Sequence, residues 1–230
     1  MSRMTLLERH ERLEAVLAAV VSGSDADQRL AAMLADPAMD AYGRIKVTEA
    51  LGKVGPGPAG SAALRSEFAD AAGSLAGASR ATKFWYRDLI CASVWALATR
   101  DGPAATDVYL AAIRSANATV RDYGMTFLAV SGDDRAWDEV ITRLRDGLQR
   151  KINPGGLRWR ETCRAVEYLA RHAARGSDRA DRLIGLVRGR WRNLGDADLI
   201  ARWWPGIGPG GPPPGAIDLA GWHTPDLWWR

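Results

Sequence analysis

The chain has 230 residues, of which 47% are hydrophobic and 25% are charged, and its formal net charge is +4. This composition supports an ordinary buried core and excludes an intrinsically disordered chain. Two cysteines are too few for a small disulfide-stapled protein, and no apolar run reaches the roughly 18–20 residues of a membrane span. We therefore predict a cytoplasmic protein in which Cys91 and Cys163 are reduced core thiols.

Positive charge is concentrated in one block of the chain. Residues 1–134 carry 14 Lys/Arg and 16 Asp/Glu, residues 135–204 carry 16 and 9, and residues 205–230 carry 1 and 2. Most of the basic residues in the middle block are arginines, whose planar guanidinium group suits carboxylate and phosphate. The block is therefore a candidate surface for an anionic partner, and a merely solvated arginine face is the alternative.

The N-terminal segment predicts two helices that form a terminal cap over residues 1–37. The first helix carries Val16 on its apolar stripe and ends at a Ser-Gly-Ser turn. The second helix follows Ser24, a candidate N-cap, and ends at Asp36-Pro37.

Residues 38–204 contain a repeating helical pattern. Four helix pairs follow one another between Gly, Pro and Ser breakers, and Thr119 is a candidate N-cap for the third pair. A basic residue recurs early in the first helix of each pair, at spacings of 43, 34 and 39 residues. These positions are Arg44, Arg87-Asp88, Arg121-Asp122 and Arg160-Glu161. For Arg121-Asp122 and Arg160-Glu161, this recurrence favours structural salt bridges between helix layers over site residues.

The segment RIKVTEALGKVG, followed by a small-residue turn and an amphipathic helix, resembles the HEAT repeat family and its bacterial short-repeat relatives. In that family a basic residue begins an Ala- and Leu-rich first helix. The resemblance covers residues 38–192 and implies a right-handed superhelix whose second helices line the concave face. The nearly all-apolar helix LICASVWALA fits a layer that neighbours cover on two sides. The predicted fold class is an all-α, HEAT-like solenoid of four to five helix pairs.

The last long helix, which Ser177 is expected to cap, carries glycines and arginines opposite a buried stripe that includes Trp191. Glycine inside a helix costs about 1 kcal/mol relative to alanine, so two glycines on one exposed face suggest close approach of a backbone or a phosphate. Glycine that is simply tolerated in a well-packed solenoid is the alternative. The candidate binding surface is Arg143, Arg150, Arg182, Gly185, Gly189 and Arg192.

The C-terminal tail, residues 205–230, holds six of the 11 prolines. Residues 205–215 are expected to form an extended, partly polyproline-like connector. Exposed tryptophan is unfavourable, so we expect the aromatic end to dock, preferably on the chain itself and otherwise on a second molecule. The candidate tail anchor is Trp222, Trp228 and Trp229.

The sequence contains no recognisable catalytic signature. Its three histidines are scattered, and no metal-ligand cluster, phosphate-binding loop or nucleophile motif is present. We predict no catalytic residue, no cofactor and no metal. By analogy of fold alone, a DNA glycosylase of the alkylpurine family built on HEAT-like repeats is a minor alternative. The residues of the right type are Trp159, Glu161 and Trp191.

Two hypotheses about function follow. The first is a non-enzymatic scaffold that binds a protein or peptide on the curved face of the solenoid, with the basic C-terminal half as its preferred surface. The second is a nucleic-acid-binding protein whose basic block contacts phosphates without regard to sequence. Salt discriminates between them, because phosphate-driven binding weakens steeply with ionic strength.

Overall fold

Helices account for all the regular secondary structure in residues 6–225, the part of the chain that the computed structural model describes. No strand occurs in this part, which confirms the predicted all-α class. The helices are α1 (Leu6–Val21), α2 (Ala26–Leu34), α3 (Ala41–Leu51), α4 (Pro58–Leu75), α5 (Arg80–Arg100), α6 (Thr106–Ile113), α7 (Ala118–Ser131), α8 (Trp137–Gly147), α9 (Leu157–Arg171), α10 (Asp178–Gly189) and α11 (Ala197–Trp203). Short 3-10 helices lie at Gly102–Ala105, Asp134–Ala136, Trp191–Asn193 and Pro214–Ala216.

The chain divides into two compact units, Met1–Gly124 (unit 1) and Met125–Arg230 (unit 2). The boundary between the units falls within α7. The predicted boundaries of a cap, a repeat region and a tail after residues 37 and 204 stay predictions, since they describe repeat pattern and composition, whereas this division describes packing.

Unit 1 is built from helices that pack on helices one or two places away in the chain. Helix α3 packs against α1, α2 and α5, α4 packs against α2 and α5, and α6 packs against α5. Helix α5 is buried through its middle, as its apolar sequence predicts. Gly52, at the end of α3, permits part of this packing, because an added Cβ there would lie 2.4 Å from the ring of Trp95.

A buried arginine joins three segments of unit 1. The side chain of Arg100, in the last turn of α5, is 0% exposed and forms an ion pair with Asp27 of α2. Its Nη1 donates to the carbonyl of Leu51 (2.8 Å) and its Nη2 to that of Gly57 (3.1 Å). Asp27 also accepts from the backbone N–H of Gly60, in the first turn of α4. One guanidinium group thus satisfies carbonyls that the end of α3 and the following loop leave open.

Unit 2 has an aromatic core. Helix α9 packs against α8 and α10, and Trp137, Trp159 and Trp204 are all fully buried. The indole N–H of Trp137 donates to the carbonyl of Leu169 at 3.2 Å, which satisfies one polar atom of this core.

The tail returns to unit 2. Trp222 is 4% exposed, and its ring centroid lies 6.2 Å from that of Trp204. Thr224 donates to Glu167 at 2.6 Å, and the same Glu167 oxygen accepts from Arg164 at 2.7 Å, so a buried ion pair of α9 also holds the tail. Trp228 and Trp229 lie outside the described residues.

The expected extended connector is wrong for most of residues 205–215, although Pro213 has polyproline-like angles (φ −52°, ψ 148°). Gly206 and Gly210 adopt positive φ angles of +83° and +90°, and they turn the chain within residues 205–211. The 3-10 helix Pro214–Ala216 follows. Proline fixes φ but does not prevent a turn when glycine stands beside it, so composition alone overestimated the reach of the segment.

Two of the expected helix starts are wrong and one is confirmed. Asp25, and not Ser24, occupies the N-cap position of α2, without a side-chain capping bond. Helix α7 begins one residue before Thr119, because the side chain of Asn117 accepts from the N–H groups of Thr119 (3.0 Å) and Val120 (3.3 Å). Ser177 caps α10 as predicted, by accepting from the backbone N–H of Ala180.

Two expected burial patterns are also wrong. Val16 is 43% exposed, so α1 buries Leu17 and Val20 without it. Helix α10 ends at Gly189, which places Trp191 in a 3-10 helix, half-buried and outside the α-helical stripe. The change from 3.6 to 3.0 residues per turn rotates Trp191 away from the predicted position.

The recurring basic residues differ in their partners. Arg44 of α3 forms an ion pair with the buried Glu67 of α4, as expected for a contact between helices. Arg87 of α5 instead pairs with its neighbour Asp88 at 2.7 Å. Equivalent positions in a repeat pattern therefore do not guarantee equivalent contacts.

Candidate functional sites

Unit 1 leaves aromatic side chains partly exposed at the start of α5. Phe84 is 41% exposed, and Trp85 and Tyr86 are half-buried. Successive residues of an α-helix point about 100° apart, so three consecutive aromatics cannot all face one core. The rings of Phe84 and Trp85 lie 4.3 Å apart between centroids. We call Phe84, Trp85 and Tyr86 the aromatic end of α5.

A groove of about 500 Å³ lies on one face of the α4–α5 pair, and α6 and the start of α7 complete it. Its apolar floor includes Phe68, Leu75 and Ile90, which are 7%, 6% and 1% exposed. Lys83 and Arg114, both exposed, are the charged residues among those that line it. We call this the α4–α6 groove. It combines an apolar floor with cationic side chains at the edge.

A second groove, of about 340 Å³, lies on the other face of α4 and α5. The Arg44–Glu67 ion pair, Asp70 and the rings of Trp85 and Tyr86 line it. Its charged groups leave one uncompensated carboxylate, so its electrostatic character is opposite to that of the α4–α6 groove.

Unit 2 has a basic pocket of about 250 Å³ where α10 ends. Its lining residues are Arg188, Gly189, Arg190, Trp191, Arg192, Asn193 and Pro209. Arg188 binds the tail, because its guanidinium group donates to the carbonyls of Gly206, Ile207 and Pro212. Arg190 and Arg192 are exposed.

The loop after α8, which carries two more cations, lies beside this pocket. The backbone N–H of Ile152 donates to the carbonyl of Asn193 at 2.9 Å, and Asn193 Nδ2 donates to the carbonyl of Leu148 at 2.7 Å. These bonds hold residues 148–152 beside the 3-10 helix Trp191–Asn193. Arg150 and Lys151 lie in that loop and are exposed. We call Arg150, Lys151, Arg190, Trp191 and Arg192 the basic site.

The structure separates the residues of the predicted binding surface. Gly189 and Arg192 line the pocket, and Arg150 belongs to the adjoining loop. Arg182 instead lies over the ring of Trp137, 4.8 Å from its centroid, and pairs with Asp138 at 3.3 Å. Arg143 pairs with Glu139 one turn away in α8, at 3.4 Å. Gly185 is exposed, with open space around it.

Sequence reasoning missed the aromatic end of α5 and two cations of the basic site, Lys151 and Arg190. The three aromatics at residues 84–86 carried a signal, because their spacing prevents common burial. Lys151 carried none, since its neighbourhood depends on a hydrogen bond between segments 41 residues apart in sequence.

The two cysteines are poorly suited to act as nucleophiles. Cys91 and Cys163 are free and buried, as predicted. Burial raises the pKa of Cys91 to about 12 and raises the pKa of Cys163 as well, so both stay protonated thiols at neutral pH. No group of three or more His, Cys, Asp or Glu residues suited to a metal ion occurs between residues 6 and 225.

Trp159 is fully buried and therefore cannot stack on a flipped base, which removes one of the residues on which the glycosylase analogy rested. Glu161 and Trp191 are partly exposed.

Within the described range, no helix is both long enough and apolar enough to cross a lipid bilayer. Comparison of the chain with known proteins gives no matching family model, curated protein or solved structure.

Proposed function

We propose that the chain is a non-enzymatic protein-binding module whose α4–α6 groove receives an amphipathic peptide segment rich in acidic residues. The observation that carries this proposal is the apolar floor of the groove together with the exposed Phe84, which follows the groove-lining Lys83 in α5, whereas Trp85 and Tyr86 line the second groove. Exposed aromatic residues next to a groove are typical of interfaces, where aromatic side chains provide much of the binding energy.

The exposed aromatic surface is large enough to contribute to affinity. An aromatic side chain presents about 200 Å², so the exposed fraction of Phe84 amounts to about 80 Å². Burying this area contributes about 2 kcal/mol at 25 cal/mol per Å². A peptide that also covers part of the groove floor adds to this gain.

Charge favours an acidic peptide. Lys83 and Arg114 stand at the groove, and its lining includes no carboxylate. A peptide with apolar residues on one side and carboxylates on the other therefore matches both floor and edge. The second groove, with Asp70 and a compensated ion pair, disfavours the same peptide.

The proposed architecture is a HEAT-like solenoid. In unit 1, α3 packs against α1 and α5, while α4 packs against α2 and α5. This pattern suits repeats in which each pair stacks on the preceding one, and such stacking produces extended grooves for peptide partners.

The test uses the full chain and a phage library of random peptides. The most enriched peptide is synthesised, and its Kd is measured for the original chain, for Phe84→Ala and for Ala111→Trp. Ala111 is exposed and lines the groove, so a tryptophan there fills the groove without displacing core residues. Val16→Ala is the matched control, because Val16 is an equally exposed apolar residue on α1.

We expect enriched peptides to combine apolar and acidic residues. We also expect Ala111→Trp and Phe84→Ala to weaken binding by about 10-fold or more, corresponding to at least about 1.4 kcal/mol. Val16→Ala should leave the Kd unchanged. Enrichment of basic peptides, or equal affinity of all four chains, contradicts the proposal.

A further inference from the structure

The basic site of unit 2 is separate from the peptide groove and has its own chemistry. We propose that it binds single-stranded nucleic acid, with Arg190, Arg192 and the loop cations on phosphates and with Trp191 stacked on a base. This inference does not depend on the proposed function, because all of its residues belong to unit 2.

The cations of the site are available to a ligand. In the described part of the chain, the side chains of Arg150, Lys151, Arg190 and Arg192 form no ion pair and no hydrogen bond, and all four are exposed. Other exposed arginines of unit 2 bind within the chain: Arg175, for example, donates to the carbonyl of Gly215 at 2.9 Å. Among the described residues, Arg202 of α11 is also exposed and unpaired, so this site is distinguished by four unpaired cations on two adjoining segments and not by the lack of a partner alone.

Helix electrostatics explain only part of this arrangement. The loop cations follow the end of α8, and Arg190 and Arg192 follow the end of α10, where the helix dipole favours positive charge. That effect makes cations tolerable at both places. It gives no reason for a half-buried tryptophan between two exposed arginines.

The tail holds Trp191 in place while leaving its site open. An added Cβ at Gly208 would lie 3.6 Å from the outer ring of Trp191, so the tail backbone is in near contact with one edge of the indole. Arg188 fixes that part of the tail through three carbonyls. Trp191 is consequently preorganised, which reduces the entropy lost when a ligand stacks on it.

The size of the pocket favours part of a polymer over a small molecule. Pockets for small ligands measure roughly 300–1,000 Å³, and this one measures about 250 Å³. A phosphate group of a longer strand fits such a space, while neighbouring cations contact adjacent phosphates. Because bases of a duplex are stacked inside the helix, a partly exposed indole between arginines suits a single strand.

The experiment measures binding of the full chain to a fluorescein-labelled oligothymidylate of roughly 12 nucleotides by fluorescence anisotropy. The variants are R190A/R192A, R150A/K151A, Trp191→Leu and Trp191→Phe. The matched control is R29A/R135A, which removes the same charge from exposed arginines that already pair with nearby carboxylates. Thermal unfolding of each variant verifies that it is folded.

We expect R190A/R192A and R150A/K151A each to weaken binding by at least about 10-fold, and the control to change it by less than about 2-fold. Trp191→Leu should weaken binding by about 10-fold, while Trp191→Phe keeps most of the affinity because it keeps a stacking ring. A four-fold increase in salt should weaken binding by about 20-fold if three phosphates are neutralised.

Three results overturn the proposal. The first is no measurable binding of the oligonucleotide at low salt. The second is equal weakening by R190A/R192A and by the control, which means that net charge alone is responsible. The third is unchanged affinity of Trp191→Leu together with competition by polyglutamate as strong as that by unlabelled oligonucleotide, which assigns the site to acidic proteins. The cations changed in R190A/R192A and R150A/K151A are exposed, so these variants test the proposal even if Trp191→Leu does not fold.

Discussion

Units 1 and 2 differ in their balance of charged residues. Residues 1–124 hold 14 Lys/Arg and 14 Asp/Glu, whereas residues 125–230 hold 17 and 13. In unit 1, Arg44, Arg65 and Arg100 pair with carboxylates on other helices or loops. Unit 2 also has ion pairs, such as Arg143–Glu139, while its Arg171, Arg175 and Arg188 donate to backbone carbonyls. Unit 2 is cationic because it holds more basic than acidic residues, and the arginines that bind carbonyls leave their positive charge uncompensated.

The two units also expose different kinds of side chain, which suit different partners. What unit 1 exposes is aromatic and apolar, at the start of α5, and what unit 2 exposes is cationic, around the end of α10. Overall net charge, which is small, conceals this division. Two different partners are therefore proposed for one chain.

Removing the buried arginine of unit 1 should produce the largest effect. Arg100→Leu leaves Asp27 and two carbonyls without their partner, and we expect a loss of about 3–5 kcal/mol in the free energy of unfolding. Arg65→Leu is the control, because its ion pairs are partly exposed and each contributes about 0–1 kcal/mol. Denaturant unfolding measures both. A loss below about 1 kcal/mol for Arg100→Leu contradicts the role of this residue.

Trp222→Ala should destabilise unit 2 and promote its unfolding, while unit 1 stays folded. Truncating a buried tryptophan costs about 3–5 kcal/mol, and Trp222→Phe should retain part of that stability. Each unit has one buried cysteine, Cys91 in unit 1 and Cys163 in unit 2. Thiol labelling in the C91A and C163A backgrounds should therefore accelerate at Cys163 and not at Cys91. Equal acceleration at both sites means that the units unfold together.

Alkaline pH should destabilise the protein through its buried thiols. Because burial raises the pKa of Cys91 to about 12, the folded state keeps the thiol protonated while the unfolded state ionises above about pH 8.5. Stability is then lost as pH rises, by about 2 kcal/mol from Cys91 between about pH 8 and 10. Cys91→Ala should remove this part of the decrease in the free energy of unfolding with pH. An unchanged slope shows that the thiol is not responsible.

The smallest effect should come from Gly185→Ala. Nothing lies within 4 Å of a Cβ at this position, and the residue is exposed inside α10. We expect the free energy of unfolding to increase by about 1 kcal/mol, with oligonucleotide binding unchanged. Weaker binding instead means that the glycine permits a close approach, as the sequence pattern suggested.

The helical class and most helix positions followed from the 3.6-residue periodicity of the apolar residues. This periodicity does not show which of two neighbouring polar residues caps a helix. Asn117 and Thr119 are both good caps, and only the backbone path decides which side chain meets an open N–H group. Likewise, α10 was expected to continue through Trp191, but it ends at Gly189 and a tighter turn follows.

The basic character of the C-terminal half was visible in the sequence, while the grouping of its residues was not. Arg182 and Arg192 stand on one face of an ideal helix, yet Arg182 stacks on Trp137 and Arg192 faces the pocket. Long-range hydrogen bonds, such as that of Ile152 with Asn193, determine which cations become neighbours. Periodicity carries no information about such bonds.

The central claim is that the two units bind different partners through independent surfaces. The most direct measurement is a cross-titration in which Ala111→Trp and R190A/R192A are each tested against the selected peptide and against oligothymidylate. The account predicts that Ala111→Trp weakens only peptide binding and that R190A/R192A weakens only oligonucleotide binding, each by about 10-fold or more. If R190A/R192A weakens the peptide as much as the oligonucleotide, both ligands share the basic site and the division between the units is wrong.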